Sequence, residues 1–190
     1  LEEEEIIAGL VSDGFHENTV RDVVQEIYPR RLEHFREEFL LQANSGTELH
    51  THFEKSVTEL YRIKNIISHH IGDHRFRSTE SGRFTDELVI KNDDGQIILH
   101  DTKCSRNYAF PRPDKRQMVE YLNEYSRAIN EYLDTNSERT LNAFNIISPS
   151  FSSGFENASI EFSNQNDVNF SGMRADEFYD MISALDHKSS

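Results

Sequence analysis

The chain holds a single cysteine, Cys104, among 190 residues. A lone thiol cannot staple a fold, so stability must come from packing, and the count fits an intracellular compartment. The ordinary place for such a residue is half-buried in a strand. No run of about 18 or more apolar residues occurs, which excludes a membrane-spanning helix. The opening "LEEEEII" has neither the basic stretch nor the apolar core of a secretory signal. Basic charge is scarce: 20 Lys and Arg face 34 Asp and Glu, a net charge of −14. That balance argues against broad, non-specific adhesion to DNA or to an anionic membrane. Any nucleic-acid contact must be local, or supported by another domain or partner. No internal repeat is visible. The chain begins at Leu1 rather than Met, as expected of a processed product or of a domain taken from a longer protein.

What is present suffices for one domain with a helical extension. Hydrophobic residues make up 36% of the chain, and Ile, Leu, Val and Phe gather in clear segments. "EEEEIIAGLVSDGF" reads as a short acidic helix or turn ending near Gly14. Val20, Val23, Val24 and Ile27, then Leu32, Phe35, Phe39 and Leu40, recur at helical spacing, and Pro29 should kink or split that run. "NSGTE" at 44–48 reads as a linker in which Thr47 caps the next helix. That helix, about 48–69, carries Phe53, Val57, Leu60 and Ile67. Residues 70–82 read as irregular.

The period then changes from 3.6 to 2. "RFTDELVIKNDDGQIILHDTKC" places an Asn-Asp-Asp-Gly turn between two apolar runs, a β-hairpin signal. A loop, "RNYAFPRP", leads to an amphipathic helix over about 114–134. "LNAFNIIS" reads as a buried strand. The Ser- and Asn-rich stretch 149–166 suggests only a short strand at "SIEF". A last strand at "DVNFSG" and a closing helix with Phe178, Ile182 and Leu185 on one face complete the order. Helices followed by β–β–α–β–β–α predict an α/β fold, a central mixed β-sheet flanked by helices, behind an N-terminal helical extension.

The hairpin carries the chemistry. Alternation along a strand puts Leu99, Asp101 and Lys103 on one face and Ile98, His100 and Thr102 on the other. Asp86 stands toward the far end of the first strand and Asp101 toward the far end of the second, so folding at the turn brings both to one end of the sheet. Two close carboxylates repel, and one would ordinarily keep a proton. A hard divalent cation removes that conflict: Mg2+ takes oxygen ligands, and the Thr102 carbonyl is a further candidate beside Asp86 and Asp101. Lys103 can assist an attacking water or offset charge on a phosphoryl group. These are the parts that phosphodiester hydrolysis needs. The same residues also fit a surface ion pair at a hairpin end, the ordinary reading of D-x-K alone.

At these residues the chain resembles the PD-(D/E)xK nuclease superfamily, and within it the cleavage-domain family of the FokI type. The likeness extends over "FEKSVTELY", "RFTDELVI", "ILHDTKCS", "DKRQMVEYLNEYSR", "FNIISPSF" and "VNFSGMRADEFYDMI", about residues 53 to 185. The resemblance implies a restriction-endonuclease-like core over 46–190, with 1–45 as an extension or tether. It implies a Mg2+-dependent DNA endonuclease, with Mn2+ able to substitute, acting on double-stranded DNA with little sequence specificity of its own. The catalytic set would be Asp86, Asp101, Lys103 and Glu54, with Glu59 as the other candidate for the helix carboxylate. A separate DNA-recognition domain, a bacterial cytoplasmic location and a transient homodimer follow from the same likeness. The dimer contact falls on Arg116 and Glu120, with the order of charges reversed relative to the family. Two further departures are visible: Thr85 stands where the family usually has Pro, and "RNYAFPRP" replaces a Gly-rich loop. The alternative is a nuclease-like subunit for DNA binding or assembly that has lost its chemistry.

Two other features bear on the site. Nine His residues, including "HTH" at 50–52 and "HH" at 69–70, are scattered rather than set at zinc spacing. Arg75, Arg77, Arg83, Lys103, Arg106, Arg112, Lys115 and Arg116 concentrate positive charge around the motif in an otherwise acidic chain, which suits a phosphate backbone.

Overall fold

The computed structural model describes residues 3–64, 66–70, 86–90, 97–133 and 141–185. The chain divides into two compact units, Leu1–Leu41 and Gln42–Ser190. In the first, α1 (Glu3–Ser12) precedes α2 (Glu17–Ala43), which runs on into the second unit. Gly14 ends α1 with φ +95, a left-handed conformation that glycine adopts without strain. Gly14 N–H donates to Val11 O at 3.0 Å and Phe15 N–H to Leu10 O at 3.1 Å, closing the last turn in the manner of a Schellman motif. Ile7, Val20 and Val24 form a buried cluster in this unit. Arg21 bridges Glu4 at 2.6 Å and Glu17 at 3.2 Å.

The second unit is built on a five-stranded mixed sheet in the order β1 (Ile67–His70), β2 (Glu87–Ile90), β3 (Ile97–Thr102), β4 (Leu141–Ser148), β5 (Phe170–Arg174). The first three strands pair antiparallel, and Leu88 faces Leu99 as Glu87 faces His100. The last two join in parallel, which requires crossovers. α4 (Arg112–Leu133) and α5 (Phe155–Asn166) supply them. Ile97 and Leu99 of β3 and Phe144 and Ile146 of β4 pack with Met118 and Tyr121 of α4 and Phe155 and Phe162 of α5 in one core cluster. On the other face, α3 (His50–Ile63) and α6 (Ala175–Ser183) bring Tyr61 and Phe178 against His100. The sheet is therefore covered on both sides, as expected of an α/β fold with a central mixed sheet.

Several local expectations differ from what is seen. Of the kink or split expected at Pro29, the split does not occur, since α2 is one helix through it; a proline forfeits one main-chain bond there, and the helix-forming residues on either side continue the turn. Thr47 does not cap α3. Its carbonyl pairs with His50 Nδ1 at 2.8 Å, while Ser45 Oγ accepts the Leu49 N–H at 3.2 Å. α3 stops at Ile63, and 67–70 form the edge strand β1 rather than the end of a helix. Residues 155–166 are a helix, not a loop with a short strand at "SIEF". Phe155, Ser159 and Phe162 are its buried residues, a spacing of four and three that the surrounding Ser and Asn obscure. Leu185 is exposed beyond the end of α6. The Asn-Asp-Asp-Gly turn lies outside the described residues.

Candidate active site

β3 delivers the central residues because it is anchored to the end. Its last residues pair with β4, Asp101 against Ile146 and Thr102 against Ile147. Lys103 N–H then donates to Ile147 O at 2.8 Å, so main-chain pairing continues through the lysine. The antiparallel register sets Asp86 one step beyond the Glu87–His100 pair, alongside Asp101. One Asp86 oxygen, Oδ2, accepts two bonds from Thr102: from the backbone N–H at 2.7 Å and from Oγ1 at 2.8 Å. Lys103 Nζ lies 2.6 Å from Asp101 Oδ2. That is the distance of a close ion pair, so the Lys103 ammonium is the partner of this buried carboxylate oxygen. Asp86, Asp101, Thr102 and Lys103 thus meet at one end of β3.

The electrostatics follow from burial. Asp101 is 1% exposed. Burial, then the Asp86 charge, pushes its carboxyl above the usual carboxylate range against the pull of Lys103. Burial, then the charge of Glu54, does the same to Asp86, against the two bonds from Thr102. Asp86 as a residue is only half-buried, yet its carboxyl group lies within the packed site. For Lys103 burial works against the charge, but the Asp101 carboxylate and its contact hold the ammonium above its ordinary value. Burial, with Glu54 and Asp86 nearby, pushes the half-buried Cys104 thiol up to about 11, so it stays protonated at neutral pH.

Of the two helix carboxylates, Glu54 is half-buried and acts on Asp86, whereas Glu59 is exposed. Arg116 is exposed and Glu120 half-buried on α4. Of the basic collar, Arg75, Arg77 and Arg83 lie outside the described residues. Arg106 donates to Asn44 Oδ1 at 3.2 Å, and Lys115 pairs with Glu161 at 3.8 Å while lying over the Phe110 ring. Sequence reasoning missed Asp114 and Tyr108. Tyr108 OH donates to Asp114 Oδ2 at 2.6 Å, and the Asp114 charge acts on both Asp101 and Lys103. Asp114 in the first turn of α4 was the available signal, but nothing in spacing tied it to a strand it follows by a loop.

A divalent cation fits these residues. Two buried carboxylates, both pushed upward, Asp101 in part by the Asp86 charge and Asp86 in part by the Glu54 charge, are what a cation would relieve. Among the described residues no group of three or more His, Cys, Asp and Glu side chains is placed to hold a metal. A donor set of two carboxylates and a carbonyl suits Mg2+, which binds through one or two carboxylates and takes its remaining oxygens from water and phosphate. No described helix is long and apolar enough to cross a membrane.

Comparison with known proteins adds three findings. The sequence model of the family described as FokI, cleavage domain, matches residues 14–190. Among solved structures, restriction endonuclease FokI bound to DNA resembles the chain with a TM-score of 0.62 at 18% identity, over 78% of this chain and 27% of that one. A second structure, of restriction endonuclease FokI, gives 0.60 at 16% identity, over 97% of this chain and 31% of that one. At such identities the likeness is one of fold, and this chain spans under a third of the length of either. No curated protein matches the chain.

Proposed function

The chain belongs to the FokI cleavage-domain family, and from that premise we propose that it is a Mg2+-dependent endonuclease domain hydrolysing phosphodiester bonds of double-stranded DNA. One observation carries the reading: Asp86, Asp101 and Lys103 converge at the end of β3, with Thr102 fixing Asp86 and Lys103 set on Asp101 at 2.6 Å. Asp86, Asp101 and the Thr102 carbonyl would hold the cation. When bound, it neutralises the phosphate and makes the phosphorus easier to attack. Lys103, kept protonated, orients the attacking water and offsets charge gathering on the phosphoryl oxygens. Glu54 adds a third carboxylate beside Asp86. Attack at phosphorus with departure of the 3′ oxygen leaves a 5′-phosphate end. Mn2+ can replace Mg2+ in such an oxygen site.

The acidic balance of the chain supports a division of labour. A net charge of −14 gives weak intrinsic hold on DNA, so a separate recognition domain would decide where cutting occurs. Residues 46–190 are then the nuclease domain and 1–45 the tether, working in the bacterial cytoplasm. Plasmid nicking and linearisation with Mg2+ tests the reading. Asp101→Ala should abolish cleavage with the fold retained, and Lys103→Ala should be nearly inactive while still binding metal. If either variant keeps most of the parent's activity, the assignment fails. A parent that binds DNA and Mg2+ without cutting would mark a nuclease-like subunit that has lost its chemistry.

A further inference from the structure

His100 is a costly residue to bury. It is 2% exposed, and burial drives its imidazole down to about 3, so it sits neutral in the core. Its Nε2 is hydrogen-bonded to Tyr61 Oη at 2.7 Å, and its Nδ1 has no hydrogen-bond partner. The rings of Tyr61 and His100 stack at 5.5 Å, and Phe178 meets both edge-on at 5.6 Å. An apolar side chain would pack between these rings without leaving a polar nitrogen unpaired. What it would lack is direction. The buried residues of α3 are otherwise mostly apolar, Phe53, Val57 and Leu60 among them, and apolar burial has no directional preference of its own. A hydrogen bond has one.

The two ends of that bond matter. His100 immediately precedes Asp101 on β3, with its side chain on the opposite face. Tyr61 follows Glu54 by seven residues on α3. Seven residues are about two turns, so both stand on one side of the helix, about 10 Å apart along its axis. A bond that sets Tyr61 against the residue before Asp101 therefore also bears on how near the Glu54 charge lies to Asp86, on which it acts. We propose that Tyr61 and His100 are a positioning pair that fixes the register of α3 on β3 and so places Glu54 at the cation-binding end of the site. This rests on the cation-binding reading of Asp86 and Asp101.

The test reads Mn2+ affinity by calorimetry, alongside unfolding midpoints and cleavage. Tyr61→Phe should weaken Mn2+ binding by about tenfold, the usual scale for a group that orients a ligand. In a Glu54→Gln background the same change should weaken it no further, although the loss of stability should be the same in both backgrounds. Removing both partners, in Tyr61→Phe/His100→Val, should recover stability because no polar nitrogen remains buried, yet leave Mn2+ binding weak. Three results would overturn the proposal. They are parent-like affinity in Tyr61→Phe, equal weakening with and without Glu54, or recovery of affinity together with stability in the double variant. A parent whose Mn2+ binding is absent, or unaffected by Asp101→Ala, instead overturns the cation reading, and this inference with it.

Discussion

Thr102 donates twice to a single oxygen of Asp86, through its main-chain N–H at 2.7 Å and its hydroxyl at 2.8 Å. The strand that carries Asp101 thereby also fixes the other acid. Thr102→Val keeps the β-branched shape and the N–H bond but removes the hydroxyl bond. A hydrogen bond to a charged group contributes about 1.5–3 kcal/mol, so cleavage should fall by roughly tenfold or more while the fold persists. Thr102→Ser should stay near the parent. Equal activity in the Val and Ser variants would show that the hydroxyl bond does nothing for the site.

The two buried acids make a signed prediction about pH. Asp86 is raised to about 6 and Asp101 to about 7, against about 3.9 for an unfolded Asp. Between those values the folded protein keeps protons that the unfolded chain has released. Without metal, their contribution is therefore full below about pH 4 and is lost as pH rises to about 7. His100 acts oppositely: its folded value of about 3 lies below the unfolded value of about 6.5, so it favours folding increasingly as pH rises through that window. Asp101→Asn separates the two. Parent stability minus variant stability should decline from about pH 4 to about pH 7 in chelator, and Mg2+ should raise the parent's unfolding midpoint more at about pH 8 than at about pH 5. A difference that grows with pH in chelator would contradict the burial of these carboxyls.

Much of this was legible before folding, and the rest fails for identifiable reasons. The antiparallel pairing of the two apolar runs and the D-T-K ending were readable because alternation marks both runs as strands. Helix α5 was not, because the apolar Ile160 is exposed and breaks the pattern that Phe155 and Phe162 set among Ser and Asn. Strand β1 was absorbed into α3 because Ile67 continues the helical spacing, and short apolar runs do not separate helix from strand. Glu54 and Glu59 could not be ranked from spacing alone. In the structure Glu59 is exposed, whereas Glu54 is half-buried and its charge acts on Asp86. The Tyr61–His100 bond joins residues 39 apart in sequence, a relation that no local pattern encodes.

Gly172 tests the packing beneath β5. A Cβ built there would fall 2.7 Å from the Phe151 ring and closer still to Phe155. Those rings pack on each other with centroids 4.2 Å apart, so they have little room to yield. Gly172→Ala should therefore cost about 1–3 kcal/mol, the usual range for overpacking a core, and lower the midpoint of unfolding. Gly172 stands two strands from Asp101, with Ile146 between them, and carries none of the site's side chains, so cleavage at low temperature should persist. A midpoint equal to the parent's would mean that the aromatic layer relaxes freely.

The last prediction concerns assembly. One centre cuts one strand, so a double-strand break needs two centres. Arg116 and Glu120 stand four apart on α4, on one side of the helix. Across a two-fold axis, Arg116 of one copy can meet Glu120 of the other, and the reverse, giving two ion pairs from one self-complementary patch. The competing arrangement is a pair within a single helix, worth only about 0.3–0.5 kcal/mol. Charge reversal separates them. If the contact is between copies, Arg116→Glu alone and Glu120→Arg alone each place like charges across the axis. Each should lose double-strand cleavage while still nicking. Mixed together, the two variants restore opposite charges in a heterodimer and should restore linear product. A contact confined to one helix predicts no rescue on mixing, because neither variant chain regains its own pair. Single variants that linearise plasmid as well as the parent would place the dimer contact somewhere other than α4.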